Sequence, residues 1–238
     1  MNFGLFTIHY SLFTEMQKYV IIAAGGIGAR MKSPIPKQYL SVNDVPIIIH
    51  TINKFQFAIP GIKIVIVLPP DRINSWEQFC FENDFVFNQD ICAGGETRFH
   101  SVKKGLESIH GHALVAIHDA VRPLITVALI QDIFKHAEAN GNAVPAIKMD
   151  QTIRVLEDGK SKAVDRNNYR IIQTPQCFHA DILRKAYQQD YDVSFTDDAT
   201  VVERTGAVIN LIEGDINNIK ITTQQDMLVA ETLIASGF

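Results

Sequence analysis

Arg30 and Lys37 follow Gly25, Gly26 and Gly28 in the stretch VIIAAGGIGARMKSPIPKQYL, residues 20–40. Cations just past a glycine turn suit a polyphosphate. Glycine lets the backbone approach a ligand closely, and its N–H groups add to the side-chain charge. Pro34 and Pro36 stiffen the segment that carries Lys37. The stretch is not a dinucleotide fingerprint, because Arg30 stands where a glycine or alanine should pack on the helix. It is not a P-loop either, because the G-K-[ST] ending is missing. A nucleoside triphosphate site is the expectation that remains.

Three other places carry candidate chemistry. Gly94-Gly95-Glu96-Thr97-Arg98, with Ser101 beyond it, is a second glycine turn leading into a helix. Its backbone could read the edge of a nucleobase, and Ser101 could bond base or sugar. His118-Asp119-Ala120-Val121-Arg122-Pro123 closes an apolar run. Asp119 could hold a metal–phosphate assembly or a ribose hydroxyl and Arg122 a phosphate; an internal Asp–Arg pair is the plainer alternative. Thr152 and Asp165-Arg166 lie on a hairpin, and Lys220 lies in Asn218-Ile219-Lys220-Ile221-Thr222. His50, His110, His112 and His136 read as solvated or packed. No nucleophilic triad and no metal-ligand spacing emerges.

The elements that must place these residues alternate. Residues 18–24, 63–68, 85–91 and 113–118 read as strands, and 45–57, 73–83, 101–109 and 127–140 as helices. Asp71 is expected to cap the second helix, Thr126 to cap the fourth and Gly141 to end it. Strand–helix alternation implies an α/β fold: a Rossmann-like, mostly parallel sheet with helices on both faces. Ligands of such sheets bind beyond the carboxyl ends of the strands. The loops at 25–37, 94–101 and 119–123 all fall there. The second half differs. Residues 143–147 form a strand, and residues 150–173 alternate around Glu157-Asp158-Gly159-Lys160, a hairpin turn signal. Such a hairpin is too small for its own core and projects as a β-arm onto something else, most simply a second subunit. Helices at 180–189 and 197–205, strands at 208–213 and 218–221, and a last helix to 235, capped by Thr222 or Thr223, complete the chain.

Length and composition set the bounds. The 238 residues are 47% hydrophobic and 20% charged, ordinary for a globular protein. A net charge of -4 argues against a nucleic-acid binder. Residues 1–15 are apolar and aromatic without a basic leader or cleavage site, and too short to span a membrane. They are expected to be an N-terminal extension or a start-site artefact, with translation beginning at Met16. Residues 16–238 then form a single domain with the β-arm at about 150–173. Cys80, Cys92 and Cys177 suggest no disulfide framework and fit a reducing, cytoplasmic location.

Taken together, AAGGIGARM (23–31), PKQYL (36–40), GGETRFHSV (94–102), HDAVRP (118–123), VDR (164–166), QTPQ (173–176), FTDDA (195–199) and NIKIT (218–222) resemble the 2-C-methyl-D-erythritol 4-phosphate cytidylyltransferases of the non-mevalonate isoprenoid pathway. The resemblance runs from Lys18 to Ala235. It implies a homodimer that exchanges the β-arm, and transfer of CMP from CTP to methylerythritol phosphate with release of pyrophosphate. It also implies Mg2+, carried by the CTP phosphates. By the same resemblance Arg30, Lys37, Arg166 and Lys220 are catalytic. Ala24, Gly25, Gly26, Gly28, Gly95, Glu96 and Ser101 bind CTP. Asp119, Arg122, Thr152, Arg166 and Lys220 contact the sugar phosphate, Thr152 and Arg166 in the neighbouring subunit's site. The glycine loop is one residue longer than in some members, and Glu96 stands where the family often has Asp. Ribitol-5-phosphate cytidylyltransferase shares the nucleotide motifs and is the alternative; VDR and FTDD favour the methylerythritol enzyme.

Overall fold

The computed structural model describes residues 16–25, 36–82, 85 and 89–238. The first strand, β1 (Gln17–Ala23), is the apolar run before the glycine turn. The chain then makes a small ribbon, β2 (Ser41–Val42) with β3 (Val45–Pro46), and enters α1 (Ile47–Ala58). Next come β4 (Lys63–Leu68), α2 (Ile73–Glu82), β5 (Asp90–Ala93) and α3 (Arg98–Glu107). They are followed by β6 (Ala113–Asp119), α4 (Val127–Asn140) and β7 (Asn142–Lys148). The arm is β8 (Arg154–Glu157) and β9 (Lys160–Ala163). Then come β10 (Arg170–Ile172), β11 (Gln176–His179), α5 (Ala180–Ala186), α6 (Asp198–Glu203), β12 (Leu211–Glu213) and α7 (Gln224–Ala235).

The main sheet runs β10-β7-β11-β6-β1-β4-β5, with β12 also paired to β7. Its β6-β1-β4-β5 part is parallel, as the alternation of strands and helices implies. The register sets Ala23 beside both Val67 and Asp119, so these carboxyl ends finish level. Each central strand is buried on both faces. Val20, Ile22, Ile64, Ile66, Leu114 and Ala116 meet Ile48, Ile52 and Phe55 of α1 and Ile130, Ile133 and Phe134 of α4. Ile21, Val65, Val67, Val115 and Ile117 meet Phe99, Val102 and Leu106 of α3 and Leu183 of α5. Period-2 alternation therefore distributes one strand between two apolar layers.

Local signals set several boundaries as expected. The Thr126 side chain accepts from Leu129 N–H to start α4, and Gly141 ends it at φ 83°. Thr223 caps α7 in a capping box with Asp226. Asp158 and Gly159, both at positive φ, make the tight arm turn.

Other expectations are corrected. The helix placed at 101–109 begins at Arg98, because Thr97 supplies the cap one turn earlier. Asp71 lies within a short 3-10 turn, Pro70–Arg72, instead of capping α2. Residues 218–221 form no strand: the Asn218 carbonyl is taken by Arg122 and Gln173, and Ile221 N–H donates to the Val121 carbonyl of a loop. The third strand begins at Asp90, within the residues described there, and runs on to Ala93. Of the expected arm region, residues 170–172 belong to the main sheet as β10, antiparallel to β7. β11, unforeseen, enters between β6 and β7, antiparallel to both.

Candidate active site

The loops after β1, β5 and β6 close around a cavity of about 380 Å3 at the carboxyl edge of the parallel strands. This is within the usual size of a small-molecule site. Each wall is fastened to a strand end. Ala24 N–H donates to the Val67 carbonyl (2.9 Å), Gly94 N–H to Leu68 (2.7 Å) and Ala120 N–H to Ala23 (3.2 Å). The buried Gln38 amide donates to the Ala24 carbonyl at 2.8 Å, which brings the Lys37 turn back to the end of β1.

Ala24, Gly25, Lys37, Gly95, Glu96, Ser101, Asp119 and Lys220 all line this cavity. Lys37 Nζ also donates to the Ile221 carbonyl at 3.3 Å, tying the first loop to the Lys220 segment. Gly26, Gly28 and Arg30 lie outside the described residues. Arg122 does not line the cavity. It backs Asp119, with Nε 3.1 Å from Oδ2, and donates through Nη1 to the Asn218 carbonyl at 2.8 Å. The internal Asp–Arg pair is therefore real. Thr152 and Arg166 are exposed on the arm side and away from the cavity of their own chain. Arg166 donates to the Asp150 carbonyl.

The second loop is held from inside. Gly95 N–H donates to Ser101 Oγ at 3.1 Å, and Lys104 Nζ donates to the Gly94 carbonyl at 3.0 Å. A Cβ on Gly95 would lie 2.5 Å from His100 Cβ, so only glycine lets the loop close on α3. Thr97 and Arg98 place the N-terminus of α3, with its positive dipole end, at the cavity wall.

Arg98 and Lys104 were not singled out from the sequence. Arg98 lines the cavity and forms a two-point ion pair with the fully buried Asp198, at 2.7 and 2.5 Å. Tyr187 donates its hydroxyl to the same carboxylate at 2.6 Å. Burial alone would lower the Arg98 pKa, but Asp198 more than reverses this and keeps the guanidinium charged. The signal for it was the FTDDA block, whose third and fourth residues are the cap of α6 and the partner of Arg98.

The field of the site converges on Asp119. Burial would raise its carboxyl pKa, but Lys220, Arg98 and Arg122 outweigh burial and hold it well below the carboxylate range. Lys220 Nζ lies 3.0 Å from Oδ2. The arrangement is a buried carboxylate held among several cations, beside the Gly25 and Gly94–Gly95 turns. It can bind phosphates and set two anionic groups against each other. Among the described residues, no group of three or more His, Cys, Asp or Glu is placed to hold a metal ion, and no helix is long and apolar enough to cross a membrane.

Known proteins resemble this chain in sequence and in fold. Residues 18–236 match the family model described as IspD: 2-C-methyl-D-erythritol 4-phosphate cytidylyltransferase. The chain is 42% identical to the enzyme of that name from Phocaeicola vulgatus, over 92% of this chain and all of that one. It is 41% identical to the one from Bacteroides thetaiotaomicron, with the same coverage. The crystal structure of the Thermus thermophilus enzyme superposes with a TM-score of 0.75 at 29% identity, covering 92% of this chain and 100% of that one. On the family match over residues 18–236 and these relatives, this chain belongs to the 2-C-methyl-D-erythritol 4-phosphate cytidylyltransferase family.

Proposed function

We propose that this cavity transfers CMP from CTP to 2-C-methyl-D-erythritol 4-phosphate, giving 4-diphosphocytidyl-2-C-methyl-D-erythritol and pyrophosphate. Family membership supports the reaction, and ribitol 5-phosphate is not the favoured acceptor. The observation that carries the reading at this site is the meeting of Lys37, Asp119 and Lys220 with the Gly25 and Gly95 loops in one strand-end cavity.

CTP lies along the Ala24–Gly25 and Gly94–Ser101 walls, the base against Gly95, Glu96 and Ser101. Gly26 and Gly28 are assigned to CTP as well. Lys37, with Arg30, stabilises charge that develops on the α-phosphate. Asp119 and Lys220 face the sugar phosphate, and Arg122 backs Asp119 from behind the cavity wall. A phosphate oxygen of the acceptor attacks the α-phosphorus, a new P–O bond forms, and the bond to the β-phosphate oxygen breaks. Pyrophosphate leaves with that electron pair. The acceptor brings its own nucleophile, so the protein contributes alignment and charge stabilisation.

Magnesium needs few protein ligands when substrate phosphates supply oxygens. We assign it to the CTP phosphates, where it would neutralise charge. The chain as a single catalytic domain, its cytoplasmic location and its pairing as a homodimer through the β-arm are parts of the same reading. The arm exposes Leu156 and its base Tyr169 and Ile171, apolar area that a second subunit would cover. That exchange would carry Thr152 and Arg166 to the partner's sugar phosphate. The test is pyrophosphate release with each alcohol phosphate and each nucleoside triphosphate. CTP with methylerythritol phosphate is expected to be the productive pair; equal release with ribitol phosphate would refute the assignment of acceptor.

A further inference from the structure

His118 lies at the end of β6, fully buried behind the cavity wall. Its two ring nitrogens have different partners. Nε2 faces the Arg122 carbonyl at 3.2 Å, and Nδ1 faces Thr174 Oγ1 at 3.1 Å. A carbonyl only accepts, so the proton must sit on Nε2. In a neutral ring Nδ1 is then bare and accepts from the Thr174 hydroxyl. That hydroxyl oxygen, in turn, accepts the Asp119 N–H at 3.1 Å.

The network closes through a second loop. The Thr174 carbonyl accepts from Asn218 Nδ2 at 2.9 Å, and the Asn218 carbonyl accepts from Arg122 Nη1 at 2.8 Å. Asn218 is fully buried and stands two residues before Lys220. Both ends of the 119–122 turn are thus pinned from behind: Asp119 by its amide, Arg122 by its carbonyl and its guanidinium. Phe55 of α1 packs its ring against the imidazole, with centroids 5.0 Å apart and planes at 65°.

We infer that His118 and Thr174 are positioning residues: the neutral Nε2–H imidazole and the threonine hydroxyl lock the turn that sets Asp119, with Arg122 behind it, for the sugar phosphate. Burial favours the neutral ring and, against the pull of Asp119, lowers its pKa to about 4. The role rests on the reaction proposed above and adds residues that touch no substrate.

Thr174→Val keeps the side-chain shape and removes the hydroxyl; Thr174→Ser restores it. Loss of one buried hydrogen-bond link should raise KM for methylerythritol phosphate about tenfold in Thr174→Val and leave KM for CTP within about twofold. Thr174→Ser should return to near wild type. Nitrogen-15 histidine spectra of the wild-type protein at pH 7 should show one buried ring as the Nε2–H tautomer, its signal shifted by Thr174→Val. A Nδ1–H or doubly protonated ring, unchanged kinetics in Thr174→Val, or equal rises in both KM values would overturn the inference. Wild-type protein that releases no pyrophosphate with either alcohol phosphate would instead overturn the functional reading, a distinguishable result because the ring assignment is read without substrate.

Discussion

Lys220 Nζ lies 3.0 Å from Asp119 Oδ2 in the cavity that both line, joining the end of β6 to the segment before α7. Asp119 is also paired with Arg122 and almost fully buried, whereas the Lys220 side chain is 42% exposed. The two residues should therefore fail differently. Lys220→Met leaves Asp119 with its Arg122 partner and should cost at most about 1 kcal/mol of stability, since exposed pairs are screened. It should nevertheless depress turnover sharply. Asp119→Ala leaves the largely buried Arg122 without its carboxylate and should cost about 3 kcal/mol. Urea midpoints measured beside turnover check both.

The same pair predicts an acid dependence. The folded pKa of Asp119 is held below the value of about 3.9 for an unfolded aspartate. Its stabilisation is therefore fully present above that value and lost as the pH falls toward the depressed folded value. Asp119→Asn should be less stable at neutral pH and should lose less on acidification than wild type. Urea midpoints from about pH 7 down to about pH 3 give the comparison.

Lys37, proposed above to stabilise charge on the α-phosphate, is fixed by the Ile221 carbonyl and the Gln38 turn. Lys37→Ala should lower kcat by roughly 10²–10³, by analogy with the loss of one oxyanion donor, with an unchanged circular dichroism spectrum. Near-normal kcat would remove Lys37 from the mechanism.

Gly95 is required by contact and not by backbone angle. The His100 Cβ lies 2.5 Å from where its own Cβ would be. Gly95→Ala should push the loop off α3, raise KM for CTP and cost about 1–3 kcal/mol from overpacking. Titration of CTP by calorimetry, with the thermal midpoint alongside, reads both effects.

Arg166 and Lys37 sit on opposite sides of the proposed exchange. A hybrid dimer with Arg166→Ala in one subunit and Lys37→Ala in the other should retain one working site, about half of wild-type activity, if the arm crosses over. Without crossing, the Lys37→Ala site is dead and the other has no Arg166, so activity falls to that of Arg166→Ala alone or below.

The sequence was most legible where one physical signal acted alone. Lys63–Leu68 and Ala113–Asp119 are built on the apolar runs at 64–68 and 113–117, and both are strands whose apolar residues are buried on two faces. Thr126 and Gly141 bound α4 because a cap and a left-handed stop are local chemistry. β11 was missed because Gln176–His179 is four residues without a period, placed between β6 and β7 by tertiary pairing. The Asn218 segment misled because its carbonyl bonds side chains in place of a neighbouring strand. At the site, the strand-end rule found the three loops and hence Lys37, Gly95, Ser101 and Asp119 together. Arg98 escaped because its partner Asp198 is a hundred residues away. His118 escaped because its role depends on what Thr174 and Arg122 present to its two nitrogens.

Phosphorus NMR of the reaction of wild-type protein with CTP, methylerythritol phosphate and magnesium reads the proposed CMP transfer directly. The acceptor's monophosphate signal should be lost in step with CTP, while a paired diphosphate signal and pyrophosphate grow in equal amounts. CTP consumed to CMP or CDP with the acceptor phosphate unchanged, or no consumption at all, would contradict it.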